Sequence, residues 1–306
     1  MQIKDQMRDD VIPSLAKHWA VILQSCSPVI CNECLRTMAQ YFDWIDIGIS
    51  SRLLDIVMRM CKQPDLRLNS LRCVRALAEK GMPTKTKVPL LKHILVRVKA
   101  MKLPLDAQLA AFLSAVGLVS LTCFMDKTVP EHRPWCLSTA NSALAIWTSA
   151  DPGRPDLWSP LTGLVERMVA VSKQIGGIAD HVILARVFGF MQYPKDLDMP
   201  AVDGSDEDGS ETGRFNARRK QLLKIFMSIS RHRLDVALDL LERRLQMLLE
   251  KGLPAGAFPA LEVVLTLTYK MGERWRGNSR VQAMAPKIFV PKMLRWYALT
   301  RPSFGG

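Results

Sequence analysis

Two cysteines three residues apart, Cys31 and Cys34, are the first residues in this chain whose types and spacing could do chemistry. As thiolates such a pair binds a soft metal or cycles through a disulfide. A structural zinc site, however, needs a second ligand pair at a matching spacing. None follows among Cys26, Cys61, Cys73, Cys123 and Cys136. The histidines, His18, His93, His132, His181 and His232, form no HExxH or HxH arrangement. On a helix Cys31 and Cys34 share a side with Leu35 and Met38, which predicts buried thiols rather than a metal site. An odd total of seven cysteines without secreted spacing predicts reduced thiols in a nuclear or cytosolic compartment. No GxxxxGK[ST] loop, GxGxxG turn or GxSxG elbow occurs. The sequence therefore makes no case for an enzyme, a catalytic residue, a metal or a cofactor.

The better-populated chemistry is electrostatic. The chain carries a net charge of +13, an excess that attracts nucleic acid, an anionic membrane or an acidic protein. Its cations are clustered. From Lys80 to Leu105 there is no acid, but there are Lys80, Lys85, Lys87, Lys92, Arg97, Lys99 and Lys102. Thr212 to Leu234 is likewise acid-free, with Arg214, Arg218, Arg219, Lys220, Lys224, Arg231 and Arg233. A third such block runs from Arg274 to the end. Several cations acting together are what a phosphate-tracking surface requires. Lys92 and Lys99, seven apart, project alike from a helix. Few aromatics, Phe215, Phe226, Trp275 and Trp296 among them, interleave with these blocks, so contacts to phosphate and sugar are expected over base stacking. The candidate RNA contacts are Lys85, Lys87, Lys92, Lys99, Lys102, Arg214, Arg218, Arg219, Lys220 and Lys224.

The elements that must position these residues are helical. Leu234, Leu238, Leu241, Leu245 and Leu248 recur at steps of four and three, with Asp235, Asp239, Glu242 and Gln246 off that face. Leu71, Val74, Leu77 and Ala78 define a second such helix, and Leu91, Ile94, Leu95, Val98 and Met101 a third. Pro or Gly punctuates the runs. Lys80-Gly81-Met82-Pro83 reads as a glycine C-cap followed by a stop proline, and Lys251 to Pro254 reads the same way. No alternating strand pattern appears. About a dozen helices in 306 residues predict an all-α, HEAT-repeat solenoid (an α-α superhelix) of about six to seven helical hairpins, extending over 1–306. In such an array separated basic blocks can line one concave face.

Two segments stand out. Ala107 to Met125 is uncharged and 19 residues long, near the length that spans a bilayer. Its Gln108, Ser114, Gly117, Ser120 and Thr122 favour a helix buried between layers over membrane insertion. Pro194 to Gly213 is rich in Asp, Glu and Gly and predicts a solvated acidic loop. It reads either as a plain insertion or as a mimic of phosphate that covers a basic surface.

Ile3-Lys4-Asp5-Gln6-Met7-Arg8, continuing through Ile12-Pro13 to Trp19 and Ile22-Leu23, has the form IKDxMR…IPxL…W…IL and is the first of several segments that resemble the exportin-T family, the tRNA exportins of the importin-β (karyopherin) superfamily. Tyr41 to Ile47 resembles its YVSWIDxxL, with Trp44-Ile45-Asp46 the most specific match; here Trp44 and Ile45 should pack and Asp46 should cap a helix. Glu79 to Met82 resembles NKGM, Arg218 to Leu222 resembles YRKQL behind an acidic insertion, and Glu262 to Glu273 resembles EVAIRLLYMLAE. The resemblance implies the middle of a nuclear export receptor that carries tRNA with the GTP form of the GTPase Ran. Such a receptor passes nuclear pore proteins and shuttles between nucleus and cytoplasm. It also implies that the chain begins well inside the family's length, with most of the Ran contact region lying elsewhere. The alternative is a HEAT scaffold that binds protein partners only.

Overall fold

The computed structural model describes residues 11–42, 45–193, 210–250, 258–275 and 277. Among these, every regular element is helical. The chain divides into two units, Met1–Ala150 with Arg154–Arg167, and Asp151–Gly153 with Met168–Gly306.

The first unit is built from α1 (Ile12–Ser25), α2 (Pro28–Tyr41), α3 (Ile47–Met60), α4 (Pro64–Glu79), α5 (Thr84–Met101), α6 (Ala107–Met125) and α7 (Arg133–Ser149). Proline occupies the first turn of α1, α2, α4 and α7, where its missing N–H costs nothing. Successive helices pair as hairpins. α1 packs on α2 and α3, while α2, α4 and α6 stack in turn, giving the two-layer arrangement of HEAT-type units. α6 packs most extensively, against α4, α5 and α7. It is apolar on nearly every side, and Leu109, Phe112, Val116, Leu121 and Phe124 are all buried. Long and apolar enough to cross a membrane, it is instead the core helix of this unit. After it come a one-turn helix, α8 (Pro155–Trp158), and the start of α9 (Thr162–Ala170). Buried Trp147 donates its indole N–H to Thr162 Oγ1 at 3.4 Å and fixes this corner. Gly117 lets α9 approach α6, because a Cβ there would stand 2.6 Å from Leu164 Cδ2.

The second unit contains α10 (Asp180–Phe190), α11 (Glu211–His232), α12 (Leu234–Glu250) and α13 (Phe258–Arg274). The leucine face expected on α12 is present: Leu238, Leu241 and Leu245 are buried while Asp235, Asp239 and Gln246 are exposed. Gly176 and Gly177, with φ of 81° and 96°, make the left-handed turn ahead of α10 that other residues resist.

Helix ends obey capping chemistry, with one departure from the sequence reading. Asp46 caps α3, accepting from the Gly48 N–H at 2.7 Å, and Ile45 is fully buried, as expected; Trp44 lies outside the described residues. At the end of α4 the expected glycine cap is absent. Gly81 has no positive φ, and α4 stops at Lys80 in an extended conformation. The donor is Lys87 instead. Its ammonium is buried and donates to the carbonyls of Ala78, at 2.7 Å, and of Lys80. The same device recurs: Lys80 Nζ donates to Phe42 O past the end of α2, Arg67 Nε to Cys61 O past α3, and Arg133 Nε to Phe124 O near the end of α6. Each places a cation on the negative end of a helix dipole and satisfies a carbonyl that has no intrahelical partner. The matching reading at Lys251 to Pro254, and the acidic segment before Ser210, lie outside the described residues.

At its other end α6 is held by Asp106, whose Oδ1 accepts from the N–H groups of Gln108 and Leu109, at 3.0 and 2.9 Å, while Oδ2 meets Arg67 at 3.3 Å. Asp106→Ala should therefore cost about 1–2 kcal/mol in urea unfolding, whereas Asp106→Asn, which keeps the cap, should cost clearly less. Equal losses from both variants would show that the ion pair, not the cap, is what matters there.

Candidate nucleic-acid interface

The chemistry first suggested by the thiols does not assemble. Cys31 Sγ points at the Ile22 and Cys26 carbonyls, each at 3.5 Å, and Cys34 Sγ lies 3.9 Å from Met38 Sδ. Burial pushes Cys34 up to about 11 and Cys61 up to about 12, so both are held as thiols. Among the described residues no group of His, Cys, Asp or Glu could hold a metal ion.

The first basic block forms α5 and its flanks, and the structure separates its cations into two populations. Lys87 is 4% exposed and engaged on the α4 carbonyls, so it leaves the set of candidate RNA contacts. A burial signal was present in the sequence, since Lys87 precedes Val88 and stands one turn before Leu91. The clustering of charge outweighed it. Arg97 is tied to Asp55 of α3. Lys85, Lys92, Lys99 and Lys102 are exposed. Lys85, Lys92 and Lys99 recur at intervals of seven along one side of α5, and Lys92 Nζ stands 5.5 Å from the ring centre of Trp135 on α7, a cation–π contact. On the side of α5 that faces α3, a shallow cavity of about 230 Å³ is lined by Met58, Arg59, Lys62, Arg97, Ala100 and Met101. Arg59 and Lys62 thus add to the basic surface of α5, although Asp65 and Glu79 stand between them and the block in sequence. Only the packing of α3 beside α5 brings them in.

The second block forms α11. Arg214, Lys220 and Lys224 are exposed. Arg219 is committed internally: its Nη2 donates to both carboxylate oxygens of Glu262 of α13, at 2.8 and 2.6 Å, and its guanidinium lies 4.9 Å from the Tyr193 ring. Thr266 Oγ1 donates to the same carboxylate at 2.8 Å. Arg218 is half-buried near Phe215, and burial lowers its pKa, with Glu211 acting in the opposite direction. Phe215 and Phe226 are buried, which removes them as stacking platforms. The third block lies outside the described residues beyond Trp275, apart from Gly277.

What remains at the surface is a set of lysines and arginines without base-reading partners. The chemistry of such an array suits phosphate contacts rather than base reading. These cations are carried on stacked helical hairpins, and likenesses to known proteins run along most of the chain. The family described as Exportin 1-like protein matches residues 1–74. The chain is 26% identical to exportin-T of Oryza sativa subsp. japonica over 295 residues, which cover 89% of this chain and 29% of the relative. It is 31% identical to exportin-T of Homo sapiens over 98 residues, 30% of this chain and 10% of that protein. The Arabidopsis thaliana exportin-T is 26% identical over 102 residues, 30% of this chain and 10% of that protein. The likeness to exportin-T expected from the ordered motifs is therefore present along most of the chain, and the chain spans less than a third of the length of these relatives.

Because Lys87 acts on a helix end, Lys87→Met should lower stability by about 1–3 kcal/mol through two orphaned carbonyls. Polyanion affinity, measured at a temperature where the variant is folded, should not change. Lys92→Ala should show the converse. Exchange of these two phenotypes would return Lys87 to the binding surface.

Proposed function

We propose that this chain is a section of a nuclear export receptor of the exportin-T kind, and that it contacts tRNA through its basic helices. The observation that carries the reading is the likeness to exportin-T over 89% of the chain. It is supported by exposed Lys85, Lys92, Lys99 and Lys102 on α5 and by Arg214, Lys220 and Lys224 on α11. The whole receptor would take up tRNA together with Ran in its GTP form, engage nuclear pore proteins and shuttle between nucleus and cytoplasm. This section would supply backbone contacts along a folded RNA, whose shape rather than base edges would be recognised. The reading continues to hold the chain as a single solenoid over 1–306, with the acidic 194–213 segment as an insertion.

A filter-binding titration of tRNA between about 50 and 200 mM salt tests it. Affinity should fall by several tens-fold or more across that range if a handful of phosphates are neutralised. The double variant Lys92→Ala/Lys99→Ala should weaken binding and flatten the slope of log K against log salt by about one for each phosphate left without its lysine. A salt-independent signal, or no binding at about 50 mM, would leave the alternative of a scaffold for protein partners.

A further inference from the structure

A groove in the first unit shares two lysines with the basic surface of α5 but is otherwise apolar. Three helices, α5, α6 and α7, enclose a cavity of about 350 Å³. Leu95 of α5, Leu109 and Leu113 of α6 and Ile146 of α7 form its walls. Thr139 and Ser142 also line it, but their hydroxyls donate back to the carbonyls of Trp135 and Ser138, at 3.0 and 2.9 Å, and so present little polarity to an occupant. Two groups break the apolar lining: Lys99 and Lys102, both exposed and neither with an ion-pair partner among the described residues.

Lys102 carries a second signal. It ends α5 at φ 51°, ψ 43°, and is the only non-glycine residue with positive φ among the described residues. A left-handed lysine is strained relative to glycine, the usual residue at such a helix end. Local folding therefore favours glycine here, yet the chain places a long cation at the mouth of an apolar groove. Strain retained at one residue is a pointer to use of its side chain. The last carbonyls of α5 lie at the same end and disfavour an anion by about half a charge, which two ammonium groups outweigh.

We infer that the α5–α6–α7 groove binds a medium-chain aliphatic carboxylate, with the hydrocarbon along Leu95, Leu109, Leu113 and Ile146 and the carboxylate between Lys99 and Lys102. Size sets the chain length. A closed cavity of about 150 Å³ accepts one benzene, so a closed one of about 350 Å³ would take about fourteen carbons, and this groove, which is open on one side, holds an alkyl chain of roughly ten. Charge sets the head group, since the only handles offered are cationic. The inference is independent of RNA binding, although Lys99 and Lys102 are candidates for both.

Calorimetric titration of the full chain with octanoate, decanoate and dodecanoate, each below its critical micelle concentration, tests this. Decanol and decyltrimethylammonium serve as controls. Decanoate should bind at one site per chain, about 4-fold more tightly for each methylene gained from octanoate, with the gain ending once the groove is full. Decanol should bind at least tenfold more weakly and the ammonium amphiphile not at all. Lys102→Gly is the decisive variant. It should raise Tm by a few degrees, because strain is relieved, and weaken decanoate at least tenfold; Lys99→Gln should weaken it without moving Tm. Several results would overturn the assignment: equal affinity for decanol and decanoate, decanoate binding that survives Lys99→Gln/Lys102→Gly, or an acidic leucine-containing peptide that binds where decanoate does not.

Discussion

An uncharged nineteen-residue helix must be covered on all its sides, and the first unit is organised around meeting that requirement. α6 shows no polar stripe that could face water, so it cannot sit at the edge of a two-layer array. α4, α5 and α7 cover three flanks, leaving a groove between α5 and α7, and the 3₁₀ turn Ser159–Leu161 together with Leu164 covers another, where Gly117 removes the side chain that would hold them apart. Burial on this scale leaves little freedom in register. The N-terminus of α6 is pinned by Asp106 and its C-terminus by Arg133, so the helix is fixed at both ends as well as along its packed flanks.

That requirement also fixes where the basic helix lies. α5 has an apolar side on α4 and α6, formed by Val88, Leu91, Ile94 and Val98, so its lysines are directed to the remaining arc. One edge of the arc meets α3 and gathers Arg59 and Lys62. The other meets α7 and gathers Trp135 under Lys92. The groove with Lys99 and Lys102 opens where α5 ends. Binding surface and core are thus two results of one helix placement, which is why cations so near one another differ so much in exposure.

Much of this was legible in the sequence. Helix number and placement, the leucine face of α12, the buried character of α6, the thiol pair and the Asp46 cap all follow from local periodicity or from spacing within a few residues. Such features depend on interactions of short sequence separation. What was not legible depends on interactions made across helices. Arg219 reads as a surface cation until Glu262, on another helix, takes it up. Arg59 and Lys62 lie outside the acid-free blocks in sequence and become part of a basic surface only through packing. Gly81 matched a cap pattern, but the carbonyls it was to satisfy are met by a side chain from the following helix. Lys87 was misplaced for the same reason: clustered charge in sequence does not distinguish a cation facing solvent from one facing a helix end.

Four cations, Lys80, Lys87, Arg67 and Arg133, serve helix termini in the first unit. Their presence separates two sources of basicity that count alike in the net charge. Selection for a polyanion partner acts on one source, and selection for a well-folded chain acts on the other. A descendant that had abandoned its partner would therefore drift toward neutrality only so far, and the isoelectric point at which it halted would record the cations invested in its own architecture.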